Sequence, residues 1–152
     1  MSASTKDATG GCLCGAVRYR MSGTPMEAIY CHCQSCRKHT GAPVVALTAY
    51  RRDQMRYTQG TPKVFASSPG VGRAFCGDCG TPLTWEGDGG EEIGPMIEVL
   101  IGTLDTPEAF APRCHIHHGE RLTWFETHDA LPRYRVWHDD GEPPYQTGPG
   151  DA

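Results

Sequence analysis

The chain has 152 residues, 38% of them hydrophobic, with 19 glycines, 12 prolines, eight cysteines and a formal net charge of −4. The length suits one domain, and about 150 residues can bury roughly 70% of the surface that the unfolded chain exposes. The acidic balance, with no basic tail or stripe, excludes the electrostatic footprint of a nucleic-acid binder. No apolar run approaches the ~18 residues of a membrane helix.

Residues 1–9 are small and polar, without the apolar stretch of a signal peptide, so a cytoplasmic protein is expected. In a reducing compartment, eight cysteines argue for metal binding or catalysis rather than disulfides. Val17, Tyr19 and Met21 alternate with Arg18, Arg20 and Ser22, the pattern of a half-buried strand. Ser35–Thr40 reads as a turn of helix, and Pro43–Tyr50 is a β-branched run after Gly41. Met55–Thr58 and Lys63–Ala66 flank the turn Gln59-Gly60-Thr61-Pro62, which predicts a hairpin with a longer loop. Arg51, Arg52 and Arg56 cluster there, as a solvated turn or as a patch for a small anion. Thr81–Glu86 follows a glycine turn, and Met96–Leu104 is the most apolar run, read as a central strand. Asp105-Thr106-Pro107-Glu108 looks like a cap followed by a single helical turn. Many short strands with one or two helical turns are therefore expected. They form one domain over residues 10–138, between flexible tails at 1–9 and 139–152.

The cysteines fall into groups. Cys12-Leu13-Cys14-Gly15 and Cys76-Gly77-Asp78-Cys79-Gly80 are two pairs, each closed by glycine. Glycine there permits positive φ and lets backbone N–H groups turn toward the sulfurs. Together the pairs supply four thiolates, the ligand set of a closed tetrahedral zinc site. The third group, Cys31-His32-Cys33-Gln34-Ser35-Cys36, has three sulfurs in six residues. Three protein ligands leave a fourth position for water or substrate. His32, His39, Cys114 and His115 are alternative fourth ligands, and any of them would make that site structural too. Redox-active or buried thiols compete for the two pairs, and an iron–sulfur set or a second structural site competes for the triplet. Cys114 alone reads as a small buried residue, and His115, His117 and His118 as surface or hydrogen-bonded histidines.

In order, the motifs are G-G-C-L-C-G-A-V-R-Y, C-H-C-Q-S-C-R-K, F-C-G-D-C-G-T-P-L, P-R-C-H-I and W-F-E-T-H-D-A-L-P. This series resembles the glutathione-dependent formaldehyde-activating enzyme family, whose relatives include centromere protein V, over Gly10–Tyr134. The resemblance implies a mainly β, Mss4-like fold of small coiled antiparallel sheets around two Zn²⁺ ions. By the same carry-over, Cys12, Cys14, Cys76 and Cys79 hold a structural zinc and Cys31, Cys33 and Cys36 a catalytic one. The implied activity is that of a carbon–sulfur lyase joining a small thiol such as glutathione to formaldehyde or another aldehyde. A non-catalytic, zinc-stabilised binding module is the alternative. The general acid of such a reaction would come from His32, His39 or His115, and Arg37 and Lys38, directly after Cys36, read either as a surface charge pair or as partners for glutathione's carboxylates. Neither the physiological substrate nor the oligomeric state follows from the sequence.

Overall fold

A computed structural model of the chain describes residues 7–149. Its elements, in order, are β1 (Ala8–Gly11), β2 (Arg18–Met21), β3 (Glu27–Cys31), α1 (Gln34–Thr40), β4 (Val45–Arg51), β5 (Met55–Gln59), β6 (Lys63–Ser68), β7 (Val71–Phe75), β8 (Pro82–Asp88), β9 (Pro95–Leu100), β10 (His115–Ile116), β11 (Pro132–Arg133) and β12 (Gln146–Thr147). Short 3-10 turns punctuate them at Arg52–Gln54, Ile101–Thr103, Pro107–Phe110 and His118–Glu120. The architecture is mainly β, as expected. The paired strands reach from Ala8 to Thr147, and the outer parts of the expected tails, 1–6 and 150–152, lie outside the described residues.

The chain groups into two compact units, one built from the segment up to Glu27 and from Thr48–Phe110, the other from Ala28–Leu47 and from Ala111 onward. The first contains a three-stranded antiparallel sheet in the order β1-β2-β5. Its register sets Tyr19 against Tyr57 and Met21 against Met55, and Tyr19, Met21 and Met55 are all buried. The Arg18 guanidinium and the Thr9 hydroxyl both donate to the Asp105 carboxylate, and Tyr19 Oη lies 2.7 Å from Thr103 Oγ1. The same unit holds the antiparallel meander β6-β7-β8-β9, with Leu83, Ile97 and Val99 fully buried.

Two expectations change here. The hairpin between Met55–Thr58 and Lys63–Ala66 does not form: β5 pairs with β2, and β6 pairs with β7. Met55 has a buried face to complete, whereas Val64 and Phe65 of β6 remain more than 60% exposed, so burial and not proximity in sequence selects the partner. The run Met96–Leu104 is a strand only to Leu100; Thr103 Oγ1 donates to the Leu100 carbonyl at 2.8 Å and closes a 3-10 turn over Ile101–Thr103. Arg52 of the arginine cluster is committed, with Nε on Glu86 and Nη1 on the Met55 carbonyl, each at 2.9 Å.

In the second unit β10 runs parallel to both β3 and β11, and β11 is antiparallel to β12. Parallel pairing joins segments far apart in sequence, and it sets His115 beside Tyr30 and Ile116 beside Cys31. The helix α1 starts at Cys33, whose extended backbone and side chain cap it, and stops at Gly41 with φ 72°. Arg37, Lys38 and His39 in its last turn complement the helix dipole.

Two positive-φ glycines separate backbone strain from steric contact. A Cβ on Gly41 (φ +72°) meets nothing within 4 Å, whereas one on Gly60 (φ +67°) meets the Ala16 carbonyl oxygen at 2.2 Å. In denaturant unfolding, Gly41→Ala is expected to cost about 1 kcal/mol, and Gly60→Ala about 3 kcal/mol or more. Equal losses would show that the main chain around Ala16 yields.

Candidate functional site

Each cysteine group is assembled within one unit. Cys12 and Cys14 lie on the connection from β1 to β2, Cys76 and Cys79 on the connection from β7 to β8. The two turns share one construction. Gly15 N–H donates to the Cys12 carbonyl at 3.1 Å with Gly15 at φ 80°, and Gly80 N–H donates to the Cys76 carbonyl at 2.9 Å with Gly80 at φ 79°. Val17 N–H donates to Cys12 Sγ at 3.2 Å, and Thr81 Oγ1 lies 3.1 Å from Cys79 Sγ while accepting Leu13 N–H. All four sulfurs lie within 4.8 Å of one another. Cys12 Sγ is 3.6 Å from Cys14 Sγ, and Cys14 Sγ is 3.8 Å from Cys76 Sγ. Zinc–sulfur bonds of about 2.3 Å in a tetrahedron place sulfurs about 3.8 Å apart, so the donor set fits that ion.

The electrostatics agree. Hydrogen bonds from Thr81 pull the Cys79 thiol down to about 5. The Ala16 N–H acts to lower Cys14 too, but the Cys12 and Cys79 sulfurs outweigh it and push Cys14 up to about 12. Four sulfurs this close ionise together only around a cation.

The second cluster is Cys31, at the end of β3, with Cys33 and Cys36 on the first turn of α1. The three sulfurs lie within 4.8 Å of one another, and among the described residues no fourth Cys, His, Asp or Glu joins them. His32, His39, Cys114 and His115 therefore stay outside the set. Cys36 N–H donates to Cys33 Sγ at 3.3 Å. Hydrogen bonding from Cys31 and Cys36 holds the Cys33 thiol down at about 2, and the same sharing with Cys33 drives Cys31 far upward. Cys33 is half-buried, while Cys31 and Cys36 are buried.

Beside this loop the fold collects three buried histidines: His32, His115 and His118 are each 2% exposed or less. His32 Nε2 is 2.8 Å from His115 Nδ1, and His115 Nε2 is 3.1 Å from both Asp129 carboxylate oxygens. His118 meets His32 edge-on at 4.9 Å and hydrogen-bonds the Tyr145 hydroxyl. Burial holds His32 down at about 3 and His118 at about 4, and it lowers His115 as well, although Asp129 acts to raise it. Partial burial raises the Asp129 carboxyl, but the Leu131 N–H and His115 outweigh it and leave it below its ordinary value. His32 and His115 carried an expected acid role; the structure spends their facing nitrogens on each other. His115 and His118, read from sequence as surface or hydrogen-bonded histidines, are hydrogen-bonded and buried; Asp129 was not singled out, because the 14 residues from His115 give no periodic signal for their meeting.

Arg37 changes meaning. Its Nε donates to the His32 carbonyl at 3.1 Å and its Nη2 to the Glu120 carbonyl at 3.2 Å. Adjacency to Cys36 made it either a surface charge or a partner for substrate carboxylates; in the fold it braces two main-chain segments.

Three comparisons bear on these residues. The model of the family described as glutathione-dependent formaldehyde-activating enzyme matches residues 7–120. An uncharacterized lyase of Schizosaccharomyces pombe is 31% identical over 74 residues, 49% of this chain and 53% of its own length. The chain thus spans about half the length of that curated relative. A crystal structure of a Rhodobacter sphaeroides protein superposes with a TM-score of 0.51 at 21% identity, covering 64% of this chain and 87% of the other, which is a likeness of fold.

The histidine chain makes a spectroscopic prediction. Asp129 Oδ1 already accepts Leu131 N–H at 2.9 Å and faces Arg133 Nη1 at 3.5 Å, so the carboxylate is an acceptor and His115 Nε2 must donate to it. His115 Nδ1 then accepts from His32 Nε2–H, which leaves His32 Nδ1 as a bare lone pair, buried and without a partner. Long-range ¹⁵N–¹H correlation at neutral pH should show His32 and His115 both as Nε2–H tautomers. In Asp129→Asn, whose carboxamide can also donate, the two tautomers should mix. A protonated His32 Nδ1 in the wild type means that the chain runs the other way.

Proposed function

The chain belongs to the glutathione-dependent formaldehyde-activating enzyme family, and on that premise we propose that it is a carbon–sulfur lyase with two zinc sites, acting on adducts of a small, glutathione-like thiol with formaldehyde or another aldehyde. One observation carries the reading: three sulfurs meet at Cys31, Cys33 and Cys36 without a fourth ligand among the described residues, while four meet at the other cluster.

Zinc, when bound, supplies the positive charge that keeps an incoming thiol as its thiolate at neutral pH. The protein's own part is charge and geometry. Cys31, Cys33 and Cys36 bring three negative charges, one more than a divalent cation neutralises. Such a centre polarises a carbonyl oxygen poorly, which favours capture of the thiol over activation of the aldehyde. Cys33 is the least buried of the three residues. In the forward direction the substrate thiolate adds to the aldehyde carbon. A C–S bond forms, the C=O π pair moves to oxygen, and that oxygen takes a proton equivalent to the one the thiol gave up. In reverse the hydroxyl loses its proton, the C–S bond breaks and thiolate leaves. The four-cysteine cluster, with both its turns closed on backbone hydrogen bonds, is assigned to holding the fold.

Metal analysis of the purified protein should give about two zinc per chain. Cys33→Ser should lose one of them and retain the folded state, whereas Cys79→Ser should lower the melting temperature by more, since structural zinc contributes folding free energy outright. A stoichiometry of one in the wild type would sink the two-site assignment.

Exchange NMR of formaldehyde with glutathione, cysteine and other thiols tests the activity. The wild type should accelerate exchange for at least one thiol, and Cys33→Ser should return it to background. If no thiol exchanges faster, the chain is the non-catalytic binding module instead.

A further inference from the structure

Cys33 is held on both sides by one segment. His32 N–H, just before it, donates to the Ile116 carbonyl at 3.2 Å. Gln34 N–H, just after it, donates to Glu120 Oε1 at 3.4 Å. The stretch from Ile116 to Glu120 therefore runs beside Cys33, and His117 lies within it. In the parallel ladder Ile116 sits opposite Cys31, so His117 leaves β10 where the cysteine loop leaves β3. Behind the hydrogen bonds of Cys31 and Cys36, the His117 charge also acts through space to lower the Cys33 thiol.

His117 is the one non-glycine residue with positive φ among the described residues, at 49°. Left-handed backbone costs folding free energy, and strain of this kind gathers at functional sites. The residue is fixed at both ends: its N–H donates to the Val136 carbonyl at 2.6 Å, and its carbonyl accepts Glu120 N–H at 3.0 Å. Its Nδ1 lies 3.2 Å from Glu120 Oε2, and the Trp137 ring stands 6.3 Å away, centre to centre. The Glu120 carboxylate thus accepts Gln34 N–H through one oxygen and His117 Nδ1–H through the other. That leaves Nε2 to take or give a proton. The other histidines differ. His32, His115 and His118 are each 2% exposed or less, against 29% for the His117 side chain. His39 sits in the last turn of α1, and His128 and His138 lie on loops beyond β10. Cys33 is the least buried of the three cysteines, so the most accessible residue of that set has beside it the histidine that keeps contact with solvent.

We propose that His117, oriented by Glu120, is the general acid–base residue of the three-cysteine centre. This rests on the lyase reading and adds to it the group that moves the proton. As the C–S bond forms and the C=O π pair moves to oxygen, His117 Nε2–H gives its proton to that oxygen and is left neutral. It then recovers from solvent a proton equivalent to the one the thiol released. In reverse, neutral Nε2 takes the hydroxyl proton, the C=O bond re-forms and the C–S bond pair leaves with sulfur. Glu120 is a positioning residue: it holds the ring in the tautomer that presents Nε2.

Two measurements test it. In long-range ¹⁵N–¹H correlation spectra of the wild type, neutral His117 should be the Nδ1–H tautomer, the reverse of His32 and His115. An Nε2–H form there removes the free basic nitrogen and overturns the assignment. In exchange kinetics with a thiol that the wild type accelerates, His117→Gly should lower kcat about a hundredfold or more and leave KM within about twofold. Glycine adopts a φ of this sign freely, so the variant should keep its fold and both zinc ions. Added imidazole should restore rate to His117→Gly in proportion to its concentration and leave the wild type unchanged. Glu120→Gln should lower kcat by a smaller factor, again with KM preserved. A His117→Gly enzyme that keeps its kcat, loses a zinc ion or gives no response to imidazole overturns the acid–base role and leaves the lyase reading standing. If the wild type accelerates exchange for no thiol, the lyase reading itself fails and the assignment falls with it.

Discussion

Sulfur crowding is the constraint from which the rest of this structure follows. Seven of the eight cysteine sulfurs sit in two groups in which every sulfur is within 4.8 Å of the others. Thiolates at that spacing repel strongly, and thiols gain little from it, so the arrangement is stable around a cation that screens them. The protein prepares each group with backbone. Positive-φ glycines at Gly15 and Gly80 let each pair turn within a few residues, and N–H groups of Val17 and Cys36 point at Cys12 and Cys33. Charge-assisted N–H···S contacts of this kind fix the orientation of a ligand and tune its basicity.

Where the two clusters differ, the local fold explains why. The four-cysteine group joins two strand connections, each a closed turn, so four ligands arrive as two rigid halves. The three-cysteine group comes from one short piece of chain, a strand end running into a helix start. Cys31 ends β3, Cys33 caps α1, and Cys36 is one turn further on. A helix first turn has backbone donors to spare and a partial positive charge, which favours thiolate at Cys33. No second strand connection supplies a fourth sulfur there. Residues from Arg113 onward instead bring histidine, carboxylate and arginine side chains alongside the loop through the parallel pairing of β3 with β10. The left-handed His117, at φ 49°, turns the chain out of β10 into the 3-10 turn that carries His118, Glu120 and then Arg121.

The cysteine groups were legible in the sequence because ligand spacing is local: C-x-C-G, C-x-x-C-G and C-x-C-x-x-C each encode a turn and a donor set within six residues. The mainly β class was legible for the same reason, since alternation in Val17–Met21 is a period-two pattern on a half-buried face. What the sequence concealed depends on partners far away. Nothing in Met55–Thr58 says that β2 rather than β6 completes its ladder; that is decided by the buried face formed with Tyr19 and Met21. The 3-10 turn at Ile101–Thr103 is hidden inside an apolar run because its determinant is one hydroxyl–carbonyl bond, Thr103 to Leu100. The histidine chain was similarly out of reach. His32, His115 and Asp129 span 97 positions, and only the register of β3 with β10 aligns the first two.

Arginine shows most clearly how position in sequence and position in chemistry part company. Arg37 follows Cys36 directly, yet its guanidinium closes onto carbonyls of residues 32 and 120. Arg133 is a core residue in all but name, fully buried and bonded through both Nη groups to Thr127, Asp129 and Leu131. A planar fork of five donors can serve as a structural tie wherever several carbonyls converge, and once it does so it has little left for a ligand.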